Sequence, residues 1–398
     1  MASGPLDGIR ILDFTNFQQG PSATALLSDM GAEVVKIERP GVGDLGRLLS
    51  VRQNGYSTYF HTHCRGKQSV TVNLKHPEGL EIVYRLAKNA DVVVDNFQGG
   101  TMERLGLSYA KLSAINPRIV CATASGFGPE GPRAASPSYA PIGLAVGGAY
   151  HATWRSDDEP PGVQGIGGVS DQVGGMILAF AISSALVARE RTGLGQQIDT
   201  SQYGSQLNMM CASINNALYR DSDPPDVRPG IGLSGTFRCA DGKRVTMGYL
   251  PSNKGDKWIP LCDALGWPDW QHDPTFGSQR DRDQRMPEIR ARLAETMLER
   301  GAREWVECFD RWDIPSGVVQ DYDDIAADPQ ALANDYITEV DDPKWGRQRV
   351  VGVVVQMSKT PGAVQGLAPE LGADNITYLR EAGYSDVEVA RLAEVGAI

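Results

Sequence analysis

The stretch IRILDFTNFQQGPSATALLSDMGAEVVKIER (9–39) decides the fold. IRILDF (9–14) is a short apolar run and reads as a buried strand. GPSATALLSDMG (20–31) is helix-prone, and AEVVKIER (32–39) returns to a strand pattern. Strand, helix and strand in so short a span make a βαβ unit, which implies parallel pairing and a right-handed crossover. The pattern continues outward. SVTVNL (69–74), DVVVDNF (91–97) and RIVCATAS (118–125) read as further buried strands. HPEGLEIVYRLAKNA (76–90), with proline and glutamate in its first turn and apolar residues at helical spacing, reads as a helix. The expectation is a parallel α/β sheet whose ligand gathers at the carboxyl ends of the strands.

Residues 126–168 are rich in Gly, Pro, Ser and Ala and read as a long loop, followed by an apolar helix over 172–189. A short strand QQIDT (196–200) and another helix come next. RDSDPPDVRPG (220–230) reads as a linker, and TFRCADGKRVTMGYL (236–250) as a hairpin around Asp241-Gly242. Amphipathic helices follow. RQRVVGVVVQM (347–357) reads as a strand, and NITYLREAGYSDVEVARLAEV as helical. These readings divide the chain into a large α/β domain from 1–220 and 327–398 and a small α+β domain over 221–326.

The 398 residues carry a net charge of −11, with 41% hydrophobic and 22% charged residues. That balance speaks against nucleic acid or an anionic membrane surface as the main partner. Six scattered cysteines without a CxxC pair fit free thiols in a reducing compartment. MASGPLDGIRILDF has no basic n-region and no long apolar run, so no signal peptide is expected. The longest apolar stretch, 173–188, is short for a bilayer and is expected as a buried core helix. The expected location is the cytoplasm.

GVGDLG (41–46) matches the dinucleotide signature GxGxxG but follows the second strand instead of the first, where TNFQQGPSA stands. HTHC (61–64) lacks further ligands at zinc spacing, and no metal is expected. No G-x-S-x-G elbow accompanies the histidines. Arg39 ends a predicted strand, and Lys75 and Arg104 follow two others, where all three could converge on a polyanion at one edge of the sheet. In GIGGVSDQVGGM (165–176), Asp171 is the one charged residue between Glu159 and Arg189. It reads as a helix cap. If Ser170 caps instead, it is a first-turn carboxylate that the helix dipole keeps ionised, able to act as a covalent nucleophile. The flanking glycines would then leave room for a bulky acyl group. Spacing alone leaves both readings open.

PLDGIRILDFTNFQQGP, LLSDMGAEVVKIERPGVGD, VTVNLKHPEG, ADVVVDNF, RLGLSY, SGFGPEGP, RERTGLGQQID and PELGADNITYLREAGYS together resemble the class III CoA-transferases, in family order over nearly the whole chain. The resemblance implies a Rossmann-like large domain with a parallel sheet built from both chain ends, a smaller α+β domain and an interlocked homodimer. It implies that Asp171 attacks an acyl-CoA, giving a mixed anhydride and then an aspartyl-CoA thioester, from which CoA passes to an acceptor carboxylic acid. Gln18 matches the glutamine beside the nucleophile. Phe17, Gln18, Arg39, Val72, Lys75, Asn96, Phe97, Arg104 and Tyr139 match positions lining CoA. Arg39 and Arg104 would take the adenosine-phosphate end, and GVGDLGR would be a loop near the acyl site. CoA thioester is substrate; no permanently bound cofactor is expected.

The histidine of the related α-methylacyl-CoA racemases falls on Tyr139, which favours transferase over racemase. Leu48-Leu49 replace a tryptophan of oxalate-specific members, Asn16 replaces a histidine, and RPGIGLSG (228–235) is shorter than the glycine-rich loop of formyl-CoA transferases. A larger carboxylic acid than oxalate is therefore expected as acceptor. The alternatives are a racemase or epimerase and a CoA-binding subunit of a heteromeric transferase.

Overall fold

A computed structural model describes residues 4–154, 156, 162–166, 168–219, 233–248 and 256–398. The expected linker (220–230) and the first residues of RPGIGLSG lie outside them. By compactness the chain forms two units, Met1–Tyr219 with Gln330–Ile398, and Arg220–Pro329.

The first unit is built on a six-stranded sheet: β1 (Arg10–Asp13), β2 (Glu33–Glu38), β3 (Gln68–Thr71), β4 (Val92–Asp95), β5 (Val120–Ser125) and β6 (Gln197–Ser201). The order is β3-β2-β1-β4-β5-β6 and every pairing is parallel. Neighbouring residues point to opposite faces, and both faces are covered. Leu12, Val35, Val70 and Val93 meet the helices Pro77–Ala87, Asn375–Glu381 and Asp386–Glu394. Ile11, Val34, Val92 and Val120 meet the helices Gln19–Asp29 and Val169–Thr192. Double coverage explains why these strands are near-continuous apolar runs. The strand order reverses between β1 and β4, and the crevice beyond their carboxyl ends is where such a sheet takes its ligand.

Three expectations need correction. All six strands fall between residues 10 and 201, so the sheet is not built from both chain ends. The C-terminal segment closes the β3 edge with side chains: Asp374 and Asn375 accept the Ser69 and Thr71 amides at 2.8 Å each. The strand expected over 347–357 ends at Val351 and pairs with Ile337–Asp342 in a separate antiparallel hairpin. The apolar helix runs from Val169 to Thr192, which by length and composition is enough to cross a membrane. One face packs on the sheet through Leu178, Ile182, Ala185 and Leu186, while Met176, Phe180 and Val187 are exposed.

The second unit holds an antiparallel sheet of Gly235–Arg238, Arg244–Met247 and Ser316–Val318. Its core gathers Trp258, Trp267, Phe276, Trp305 and Phe309.

Candidate active site

Beyond β1 the chain turns through Asn16-Phe17-Gln18 into the helix Gln19–Asp29, and buried charges hold this turn. Asp13 accepts from Thr15 N at 2.8 Å and from Lys67 Nζ at 2.9 Å. Lys36 Nζ donates to Thr15 O at 2.6 Å and pairs with Asp44 at 2.9 Å, while Asp44 Oδ1 accepts from Phe17 N at 3.0 Å. Burial alone would push the Asp13 carboxyl up, but the charges of Lys67 and Lys36 outweigh it and hold the group well below the ordinary carboxylate range. Asn96, just past β4, accepts from Asn16 N and donates to Asn16 O, both at 2.8 Å. These bonds fix Phe17 at φ 65°, a left-handed conformation costing about 1–2 kcal/mol in a residue with a Cβ. Strain of this kind clusters at active sites and ligand clamps.

Gly168, at φ 72°, takes the N-cap position of the helix Val169–Thr192, which has no side-chain cap. Asp171 is therefore not the cap, and neither is Ser170, whose buried hydroxyl donates to Ala140 O at 2.8 Å. Asp171 stands in the first turn, half-buried. Burial pushes its carboxyl up, and a hydrogen bond from Gln202 Nε2 to Oδ1 works against that. Of the glycines around it, Gly168, Gly174 and Gly175 prove to be packing sites. A Cβ on Gly168 would sit 2.2 Å from Gln18 Oε1, and Gln18 Nε2 donates to Gly168 O at 3.2 Å. A Cβ on Gly175 would sit 2.8 Å from the Gln19 carbonyl oxygen, so this glycine lets the two helices approach.

A cavity of about 560 Å³ opens here, lined among others by Phe17, Gln18, Arg39, Asn96, Tyr139 and Asp171. A second, of about 500 Å³, is lined by Arg39, Val72, Lys75 and Phe97. Asn16, Arg39, Gly43 and Phe97 line both. Phe17 and Tyr139 meet edge-to-face with ring centroids 6.4 Å apart. Arg104 lines neither cavity; its guanidinium donates to Thr101 Oγ1 at 2.7 Å. Leu48 and Leu49 are exposed and line neither, whereas Val42 and Leu45 of the GVGDLG segment line the first.

Gln202 and Ser138 were not singled out from the sequence, although Gln202 follows β6 directly, at the ligand side of the sheet. The HTHC histidines are taken up by packing. His61 Nδ1 accepts from Ala368 N at 3.1 Å, and His63 Nδ1 contacts Tyr59 O at 2.8 Å. Burial lowers both to about 4, so both are neutral near pH 7.

The chain is 32% identical to a formyl-CoA:oxalate CoA-transferase of Bradyrhizobium sp. (strain ORS 278), covering 99% of this chain and 97% of that one. It is 34% identical to an acyl-CoA transferase of Fusarium pseudograminearum, covering 100% and 89%. Among solved structures it matches a CAIB/BAIF family protein from Brucella suis at a TM-score of 0.82 and 27% identity, covering 96% and 100%. It also matches Rv3272 from Mycobacterium tuberculosis at 0.81 and 30%, covering 95% and 100%. The family model for CoA-transferase family III matches residues 6–375. With that match spread over the sheet, the Phe17 turn and the Asp171 helix alike, the chain belongs to CoA-transferase family III and is an enzyme of that class.

Proposed function

We propose that the enzyme moves CoA from an acyl-CoA donor to a carboxylic acid acceptor, with Asp171 as covalent nucleophile. The observation that carries this reading is the placement of Asp171: the carboxylate lines the same cavity as Gln18, Arg39, Asn96 and Tyr139. An Asp171 oxygen attacks the thioester carbonyl carbon, a C–O bond forms, the C–S bond breaks, and CoA leaves as thiolate with the electron pair. The thiolate then attacks the aspartyl carbon of the mixed anhydride, expelling the donor acid and leaving an aspartyl thioester. The acceptor carboxylate displaces CoA to form a second anhydride, and the thiolate takes the acceptor acyl group. Arg39 and Lys75 line the second cavity and suit the phosphates of CoA, with Val72 and Phe97 as its apolar wall. Arg104, outside both cavities, is left out of this set.

The relatives named formyl-CoA:oxalate CoA-transferase support a small-acid exchange. Their acids are not assigned to this chain, whose Val42 and Leu45 give the acyl cavity an apolar wall suited to a larger carboxylic acid. Exposed Met176, Phe180 and Val187 share one face of the long helix and support a homodimer in which a second copy covers it. The acidic balance and six unpaired cysteines support a cytoplasmic enzyme without membrane or nucleic-acid partners.

Hydroxylamine added during turnover should leave a hydroxamate on Asp171, and Asp171→Asn should lower exchange by ~10³-fold or more. Full exchange by Asp171→Asn refutes the reading. Deuterium entering the α-position of an acyl-CoA with no acceptor present assigns the enzyme to racemisation instead.

A further inference from the structure

Gln202 opens the helix Gln202–Met209 and is almost fully buried. Its amide bridges two side chains. Ser138 Oγ donates to Oε1 at 2.6 Å, and Nε2 donates to Asp171 Oδ1. The serine hydroxyl thereby fixes the amide with its oxygen away from the carboxylate and its NH2 toward it. Gly126 lets Ser138 sit there, since a Cβ on this glycine would lie 2.4 Å from Ser138 Cβ. Among the described residues no donor reaches Asp171 Oδ2. The two carboxylate oxygens are therefore unequal: one is held and the other is available to attack.

We propose that Gln202 is a catalytic residue of the transfer, donating to the oxyanion that forms on Oδ1 in the steps that follow attack by Oδ2. This rests on the reading of Asp171 as nucleophile. When thiolate attacks the aspartyl carbon of the anhydride, the carbonyl pair moves onto Oδ1, 31 residues along the chain from the amide that meets it. Collapse restores the carbonyl and breaks the bond to Oδ2, which leaves with the donor acid. The same donor serves when the acceptor carboxylate attacks the aspartyl thioester. It does not serve the first step, whose oxyanion is on the substrate carbonyl. Ser138 is a positioning residue, acting through the orientation of the amide.

The first step can be separated from the later ones by the burst of free CoA thiol on mixing enzyme with acyl-CoA. Gln202→Leu should keep that burst within a few-fold of wild type. Its steady-state exchange should fall by ~10²–10³-fold, the usual loss for one oxyanion donor. Ser138→Ala should lower kcat several-fold at unchanged KM, and Ser138→Thr, which keeps the hydroxyl, should restore it. Exchange within three-fold of wild type in Gln202→Leu overturns the proposal. Equal loss of burst and exchange also overturns it, because Gln202 would then only place the nucleophile. If Gln202→Leu does not fold, the Ser138 pair decides: a KM effect, or no rescue by threonine, overturns the proposal. None of these outcomes bears on whether Asp171→Asn is inactive, so failure here is distinct from failure of the nucleophile reading.

Discussion

Asp171 carries two opposed influences on its proton. Burial raises its carboxyl above the ordinary value, and the Gln202 amide lowers it. With Asp171 as the proposed nucleophile, only the ionised form attacks, so activity should be present above the raised pKa and lost as pH falls through it. The acid limb of kcat/KM should therefore lie above the ~3.9 of an ordinary aspartate. In Gln202→Leu, which removes the opposing bond, the limb should move to still higher pH. A pH–rate profile of the two enzymes checks both statements, and a limb at or below 3.9 in wild type contradicts them. At this scale the sequence singled out residues that match a pattern: Asp171 and Gln18, expected as site residues from the family resemblance, line one cavity. It hid residues whose role is contact alone. Asp44 lay inside an apparent dinucleotide motif, yet its work is to hold Phe17 N and pair with Lys36.

Glycine in the long helix shows what an element can conceal. Gly174 and Gly175 looked like room for a ligand, but they face the helix Gln19–Asp29, about 150 residues away in sequence. Alanine in a helix gains about 1 kcal/mol over glycine in propensity. At Gly175 the new methyl meets backbone, the Gln19 carbonyl at 2.8 Å, and overpacking of this kind costs about 1–3 kcal/mol. At Gly174 it meets the end of the Gln19 side chain, at 2.6 Å, which can move. Gly175→Ala should thus be less stable than wild type and less stable than Gly174→Ala. Thermal unfolding of the three proteins measures the order. The strands themselves were legible, because double coverage writes them as short apolar runs. Their ends fall within three residues of the reading, the widest difference being SVTVNL (69–74) against Gln68–Thr71.

For the molecule as a whole, the sheet rests on an ion pair fully closed to solvent. Asp13 and Lys67 meet at 2.9 Å with neither side chain exposed. Lys67→Met leaves Asp13 without its nearest partner charge, and breaking such a pair costs about 3–5 kcal/mol. The sign with pH follows from Asp13, whose carboxyl is held well below the usual range. Its contribution is complete above the unfolded value of ~3.9 and is lost as pH falls toward the folded value. In Lys67→Met, protonation relieves the orphaned carboxylate, so the deficit against wild type should narrow on acidification. Urea unfolding at neutral pH and near pH 4 tests this, and a deficit that widens contradicts it. Alternating strands and helices made the doubly covered sheet legible. The closing of its β3 edge by Asp374 and Asn375 was not, because no local pattern links residues some 300 positions apart.

That edge has a consequence in time. All six strands have been synthesised once the chain reaches Ser201, but the side chains that cover the Ser69 and Thr71 amides come about 170 residues later. At ~5–20 residues per second, the nascent sheet waits roughly nine to thirty-five seconds with an open border. An uncovered strand is a template for pairing with another chain. During biosynthesis the protein therefore passes through an interval of exposure to which the finished enzyme, with that border shut, is no longer subject.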